Sequence, residues 1–209
     1  MNKRVFDVFV ASVALVLCFP LFVVIWLTVV LTSGRPGLFS QTRVGKNGRH
    51  FTMYKFRTMT HRKGADKGDF DVGDSRRVTA VGRLLRKSKL DELPQLVNVL
   101  RGDMSLVGPR PEVPQWIDAY PERWNRVLTV RPGITDPASI VYRNEEEMLS
   151  AASDPDGFYR DVVLPRKLDL YERYVASHSM VGDVYILLKT LVAIVMKRTH
   201  TEMDRKNDS

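Results

Sequence analysis

The chain has a single cysteine, Cys18, in 209 residues. No disulfide can form within one chain, and one thiol cannot build a zinc knuckle. The four histidines, His50, His61, His178 and His200, show no metal-ligand spacing. There is no phosphate-binding Gly-Lys-Ser/Thr loop, no dinucleotide-binding glycine pattern and no internal repeat. Charge is missing from one stretch altogether: Val8 to Ser33 contains no Asp, Glu, Lys or Arg. Acid is missing from the next, since residues 35–65 carry eight Lys or Arg and no Asp or Glu. The net charge of +8 therefore has a location, and it points to an anionic partner: nucleic acid, a membrane surface or a phosphorylated substrate.

The apolar part of the uncharged stretch, Val8 to Leu31, is 24 residues long. As one straight helix it measures about 36 Å, enough to span a bilayer. A secretory signal fits less well, because its apolar core is shorter and Leu31-Thr32-Ser33-Gly34 is a poor cleavage site. Pro20 removes the hydrogen bond to the Val16 carbonyl, so a kink is expected there. Basic residues flank both ends, Lys3 and Arg4 before, then Arg35, Arg43 and Lys46 after. Basic flanks favour the cytoplasm at both ends. These residues alone leave a re-entrant helix-break-helix and a proline-kinked span as equal readings. Either Lys3 or Arg4 could also pair with Asp7 one helical turn away.

Two strand-like runs, Leu38–Val44 and Arg49–Phe56, flank Gly45-Lys46-Asn47-Gly48, which reads as a β-hairpin. Thr60 to Asp74 reads as a polar surface loop. Beside a membrane segment, the basic residues here would meet anionic headgroups at about 1 kcal/mol each. Further on, Trp116, Tyr120 and Trp124 recur every four residues, a helical stripe that suggests packing. Arg131 to Pro137 reads as a turn-rich connection. Glu145-Glu146-Glu147 reads as a solvated helix start. A mixed-charge helix is expected over Leu164–Ala176, with Leu168, Tyr171 and Val175 on one side. Asp183 to Lys197 is apolar but interrupted by Lys189, which suits a packed or interfacial helix.

The stretch Arg83–Glu112 concentrates the chemistry. Arg83, Arg86, Lys87 and Lys89 precede the acidic pair Asp91-Glu92. Leu93, Leu96, Val97 and Leu100 follow at helical spacing, and Gly102 stands where a C-cap glycine belongs. Pro94 is tolerated only in a first turn, so the helix should begin near Leu90 or Asp91. Both carboxylates then sit at a helix N-terminus, where the backbone turns and one ligand can meet both. The plain alternative is capping, and Ser88 with Asp91 resembles a capping box. Gly108-Pro109-Arg110-Pro111 presents Arg110 on a stiff loop, suited either to phosphate or to an ion pair with Glu112. Carboxylates among Arg and Lys beside a membrane suggest phosphate chemistry. An oxygen-ligand metal such as Mg²⁺ could bridge acid and phosphate, or a carboxylate could act as nucleophile.

Several motifs occur together in order. They are Lys3-Arg4-x-x-Asp7, the proline-broken apolar run, Lys55-Phe56-Arg57-Thr58-Met59, Leu90-Asp91-Glu92-Leu93-Pro94-Gln95-Leu96, Met104-Ser105-Leu106-Val107-Gly108-Pro109-Arg110-Pro111 and Arg131-Pro132-Gly133-Ile134-Thr135. With them the chain resembles the bacterial monotopic phosphoglycosyl transferases, also called bacterial sugar transferases, in their small single-domain form. The resemblance runs from about Lys3 to Lys197. It implies transfer of a sugar-1-phosphate from a UDP-sugar to polyprenyl (undecaprenyl) phosphate, with Mg²⁺, at the cytoplasmic face of the bacterial inner membrane. It places the nucleophile on Asp91. It places a metal-binding or proton-assisting glutamate on Glu92, with the metal between Asp91 and Glu92. The phosphate-binding basic residues fall on Lys55, Arg86 and Arg110, and a residue near the sugar nucleotide on Arg143. Two positions depart from the family. Phe19 stands before Pro20 where serine is frequent, and Asp136-Pro137 replaces a glycine and an aromatic residue.

The expected fold is mainly α with a small β-hairpin, in a monotopic membrane protein. Residues 1–34 form a re-entrant helix-break-helix with Pro20 at the break. Residues 35–198 form a cytoplasmic catalytic domain and 199–209 a polar tail. Expected partners are the UDP-sugar, the polyprenyl phosphate and inner-membrane lipid, with no nucleic acid and with a homodimer left open. The rival reading is a non-enzymatic, membrane-anchored basic module that binds anionic lipid or nucleic acid.

Overall fold

The computed structural model describes residues 2–60, 77–142 and 144–207. It opens with a single long helix, α1 (Lys3–Ser33), capped at its start by the Asn2 side chain. At about 1.5 Å per residue, its 31 residues would measure about 46 Å if straight. One stripe of α1 faces the rest of the chain: Asp7, Ala11, Ile25 and Val29 are buried, with Phe22 packed on Phe56. The other side is apolar and exposed, including Phe9, Val16, Leu17 and Leu31. A helix that is apolar all round but covered on one stripe only calls for lipid on the remainder. Pro20 lies inside α1, and the helix runs without interruption across it. The expected break is therefore not a break in secondary structure, since proline deletes one backbone bond and its neighbours carry the helix past it.

The hairpin forms as expected. Strands β1 (Leu38–Val44) and β2 (His50–Phe56) pair antiparallel, with Phe39 opposite Lys55. The turn places Asn47 at φ 57° and Gly48 at φ 73°, the left-handed region that Asn and Gly tolerate best. The polar stretch after Thr60 lies at 61–76 outside the described residues.

Helix α2 (Ala80–Ser88) is capped by Thr79, whose hydroxyl accepts from the Gly82 N–H. Ser88 does not act as an N-cap. Its hydroxyl donates back to the Leu84 and Leu85 carbonyls, because the chain is still helical there. Lys89 at φ 58° ends α2 and redirects the backbone into a 3-10 turn, Leu90–Glu92. Helix α3 (Gln95–Arg101) follows and stops at Gly102, φ 89°. Pro94 thus sits at the entrance, where no N–H is needed.

Strand β3 (Ser105–Val107) pairs in parallel with β4 (Gly133–Thr135). The sequence at the second of these reads as turn. Three residues are too few to show alternation, and a parallel partner 28 positions away leaves no local sign. The aromatic stripe also divides: α4 (Pro114–Ala119) and α5 (Pro121–Val127) are separate helices, because Pro121 starts a new one. Trp116 and Trp124 still serve packing, with the Trp124 Nε1–H donating to the Trp116 carbonyl at 2.9 Å.

Short helices α6 (Pro137–Val141), α7 (Glu145–Ser150) and α8 (Pro155–Phe158) lead to α9 (Leu164–Ser177) and α10 (Met180–Asn207). Leu168 and Tyr171 on α9 are fully buried. The sequence reads Glu145 as solvated, yet it accepts from the buried Lys167 at 3.2 Å. The main core gathers Trp116, Trp124, Tyr159, Leu164 and Tyr171. A second core joins α1, α3, β3 and α10, and a third seats the C-terminal half of α1 on Phe56 and Leu85.

Candidate active site

The 3-10 turn brings Asp91 and Glu92 down between β2 and the Gly-Pro-Arg-Pro loop. Both are nearly covered, at 6% and 8% exposure. Glu92 is gripped from two sides. Its Oε1 accepts from Lys55 Nζ at 3.0 Å and from Arg110 Nη2 at 2.6 Å. Lys55 comes from β2 and Arg110 from the stiff loop, so one carboxylate ties two elements that are remote in sequence. Asp91 differs: its Oδ1 is buried and has no hydrogen-bond partner. A buried acceptor left unpaired costs on the order of 1–3 kcal/mol, so it calls for an explanation.

The loop is held by backbone contact. Gly108 N donates to the Thr135 carbonyl at 3.0 Å, and Gly133 N to the Pro109 carbonyl at 2.9 Å. A Cβ on Gly133 would lie 2.1 Å from Gly108 N, so no side chain fits there. Arg110 pairs with Glu92 and not with Glu112, which instead meets Arg43, Lys167 and Tyr159.

The electrostatics separate the two acids. Burial pushes the Asp91 carboxyl up, and Glu92 beside it adds to that, against the pull of Lys55. Burial would also raise Glu92, but Arg110, then Lys55 and Lys89, outweigh it and hold Glu92 well below the usual carboxylate range. Glu92 in turn raises Arg110 well above its ordinary value. Burial lowers Lys55, with Arg110 adding to the effect. The pair thus contains one anion locked between cations and one carboxylate with an open oxygen.

Asp91, Glu92, Lys55 and Arg110 are brought together. Arg86 stands on α2 with its Nε donating to Thr58 Oγ1 at 2.9 Å, three residues beyond Lys55. Arg143 lies outside the described residues. Three buried polar groups close to this machinery were missed. Asp136 is fully buried, caps α6 through the Ser139 N–H at 2.9 Å, and is pushed up by burial. Gln95 Nε2, one turn after Asp91, has no partner, and neither has the Tyr171 hydroxyl. The departure at Asp136-Pro137 was the one sequence signal among them.

No group of three His, Cys, Asp or Glu that could hold a metal occurs among the described residues. An ion held wholly by protein side chains is not provided for by them. The open Asp91 Oδ1 does suit Mg²⁺, which commonly takes one or two carboxylates and completes its shell with water and substrate phosphate.

The family described as Bacterial sugar transferase matches residues 1–197. The chain is 46% identical over 195 residues to the uncharacterized sugar transferase EpsL of Bacillus subtilis, covering 93% of this chain and 87% of that one. It is 35% identical over 213 residues to the exopolysaccharide production protein ExoY of Rhizobium meliloti, covering 95% and 87%. A UDP-N-acetylgalactosamine-undecaprenyl-phosphate N-acetylgalactosaminephosphotransferase of Aeromonas hydrophila is 37% identical, across 92% of this chain but 43% of that longer one. Matched along nearly its whole length, with an acidic turn clamped between a hairpin lysine and a loop arginine, the chain belongs to the bacterial sugar transferase family.

Proposed function

We propose that this enzyme moves a sugar-1-phosphate from a UDP-sugar to a polyprenyl phosphate such as undecaprenyl phosphate, with Mg²⁺, as a membrane step of bacterial polysaccharide assembly. The observation that carries the reading is the open, buried oxygen of Asp91 beside a Glu92 already neutralised by Lys55 and Arg110. An Asp91 oxygen attacks the phosphorus that bears the sugar. The bond to UMP breaks, and UMP leaves with the electron pair. An oxygen of the polyprenyl phosphate then attacks the same phosphorus, and Asp91 departs as carboxylate. Glu92 stays ionised and keeps Lys55 and Arg110 within reach of the phosphate oxygens. Mg²⁺, held by Asp91 and Glu92 with the diphosphate, would supply further charge neutralisation.

The test is isotope exchange. Purified protein is incubated with labelled UMP, Mg²⁺ and a panel of UDP-glucose, UDP-galactose and UDP-N-acetylgalactosamine, without lipid. Label is expected in at least one UDP-sugar. No label with any donor, together with no UMP release once polyprenyl phosphate is added, rejects the transferase in favour of a lipid-binding module.

α1 is the one described helix long and apolar enough to cross a membrane. A re-entrant placement at the cytoplasmic face is supported by its two ends, which both bind the same body. Lys3 and Arg4 donate to the Val107 and Val99 carbonyls, and Arg57 donates to the Ser33 and Gly34 carbonyls. A span would put the two ends on opposite faces of the bilayer, where one body on one side could not hold both. Cysteine labelling of Asn2→Cys and Asn47→Cys should occur from the cytoplasmic side for both. Labelling from opposite sides means a true span.

A further inference from the structure

Lys3, Arg4 and Asp7 read as topology signals and helix partners, but the structure puts them to another use. Lys3 bonds Asp183 of α10 and donates to the Val107 carbonyl at 3.0 Å. The Tyr174 hydroxyl lies 2.7 Å from Asp183 Oδ1 and 3.2 Å from that same carbonyl. Asp7 accepts from Ser105 Oγ at 2.8 Å and from the Leu106 N–H at 3.3 Å. Three helices thus converge on β3, with Lys3 and Tyr174 both reaching its last carbonyl and Asp183 holding the two donors. Asp7 and Asp183 are both almost wholly buried. At the other end of α1, the Arg57 guanidinium gathers the carbonyls of Ser33, Gly34 and Arg35.

The targets are near the site. Val107 is three residues from Arg110, with only Gly108 and Pro109 between, and Pro109 fixes its own φ. Arg57 is two residues from Lys55, just past the end of β2. Ala11, Ile25 and Val29 pack α1 onto the body, but such packing is non-directional. Directed hydrogen bonds fix which turn of the helix meets which strand.

We propose that α1 is a strut as well as an anchor, with Lys3, Asp7 and Asp183 as positioning residues for Arg110, and Arg57 as one for Lys55. The inference rests on the transferase reading for its link to rate. Its structural half stands apart: without the Lys3–Asp183 tie, the segment leading to Arg110 loosens. A displacement of about 1 Å in a positioned group can cost about 100-fold in rate.

The experiment uses the full chain in detergent or nanodiscs and two readouts. Lys3→Met and Asp183→Asn are expected to lower the UMP-exchange kcat by roughly 10- to 100-fold. KM for the accepted UDP-sugar should stay within about twofold, and membrane retention should be unchanged. Lys3→Arg should restore most of the rate. Amide hydrogen exchange at residues 105–108 should quicken in the two damaging variants, which reads the loop without catalysis. Faster amide exchange with no UMP exchange even in the wild type supports the strut while the reaction assignment falls. Unchanged amide exchange with kcat within about twofold of wild type overturns the strut, as does a rate loss that only tracks membrane loss. If either single variant misfolds, Lys3→Met/Asp183→Leu removes both charges together, leaves none unpaired and is read the same way.

Discussion

Asp91→Asn loses UMP exchange, by about 10,000-fold or more, and does not lose its fold. The rate figure follows from removing a nucleophile, which in covalent catalysis leaves only the contribution of binding and charge stabilisation. The retained fold follows from the burial of Asp91 with an unpaired oxygen: no ion pair or hydrogen bond of that atom is broken. The sign of the pH effect supports a stronger statement. The folded protein raises the Asp91 pKa, burial being the largest cause. A raised carboxyl contributes stability below its unfolded pKa and loses that contribution as pH rises through the folded value. Asn imitates the neutral form. The variant should therefore unfold at a higher temperature than wild type near neutral pH, with the gap closing in acid. Wild-type exchange should also fall in acid with a midpoint above the ordinary aspartate value, since only the carboxylate attacks. An active Asp91→Asn protein ends the nucleophile assignment. A variant that unfolds earlier than wild type at neutral pH means that the open oxygen has a partner in solution.

Local features of the fold were legible where the chain declares them locally. Pro94 and Gly102 bracket the helix after the acidic pair, and both serve at its ends as their backbone preferences require. Asn47-Gly48 marked the hairpin. Lys55 enters through the resemblance and Arg110 through its stiff loop as well, and the structure brings both onto Glu92, which neither periodicity nor spacing could show. What stayed hidden depends on residues far apart in sequence. Lys3 with Asp183, and Ser105 with Gly133, leave no pattern within any window. Lys3, Arg4 and Asp7 misled for a physical reason. Their helical spacing permits an i, i+4 pair of a few tenths of a kcal/mol, but the body beside α1 offers buried partners that bind more strongly. Pro20 lies inside an uninterrupted α1, because one deleted bond in a long helix need not end it.

The largest expected effect on stability lies at Glu112, two residues past Arg110. Glu112 and Lys167 are each 3% exposed. Glu112 Oε1 accepts from the Tyr159 hydroxyl at 2.5 Å and lies 3.6 Å from Lys167 Nζ, while its Oε2 meets Arg43 Nη1 at 3.4 Å. Burial lowers Arg43 and raises Tyr159 well above its ordinary value, so the tyrosine remains a neutral donor. Glu112 thus faces two buried cations, one of which, Lys167, also meets Glu145 at 3.2 Å. Glu112→Ala removes its carboxylate and leaves Arg43 with Gln41 and the Pro111 carbonyl, and Lys167 with Glu145 and Tyr159. Removing one member of a buried ionic cluster costs about 3–5 kcal/mol, because the other charges stay desolvated. For a chain of this size each kcal/mol moves Tm by about 2–4 °C, so a drop of roughly 6–20 °C is expected. Glu172 supplies the contrast. It accepts from both Arg123 and Arg126, as many cations as Glu112 meets, but at the surface. Glu172→Ala should cost no more than about 1 kcal/mol, because water replaces what is lost. Thermal unfolding of the two variants in one detergent compares buried with exposed charge directly. Equal shifts would show that water reaches Glu112 and that the cluster is not a dry support beneath the Arg110 loop.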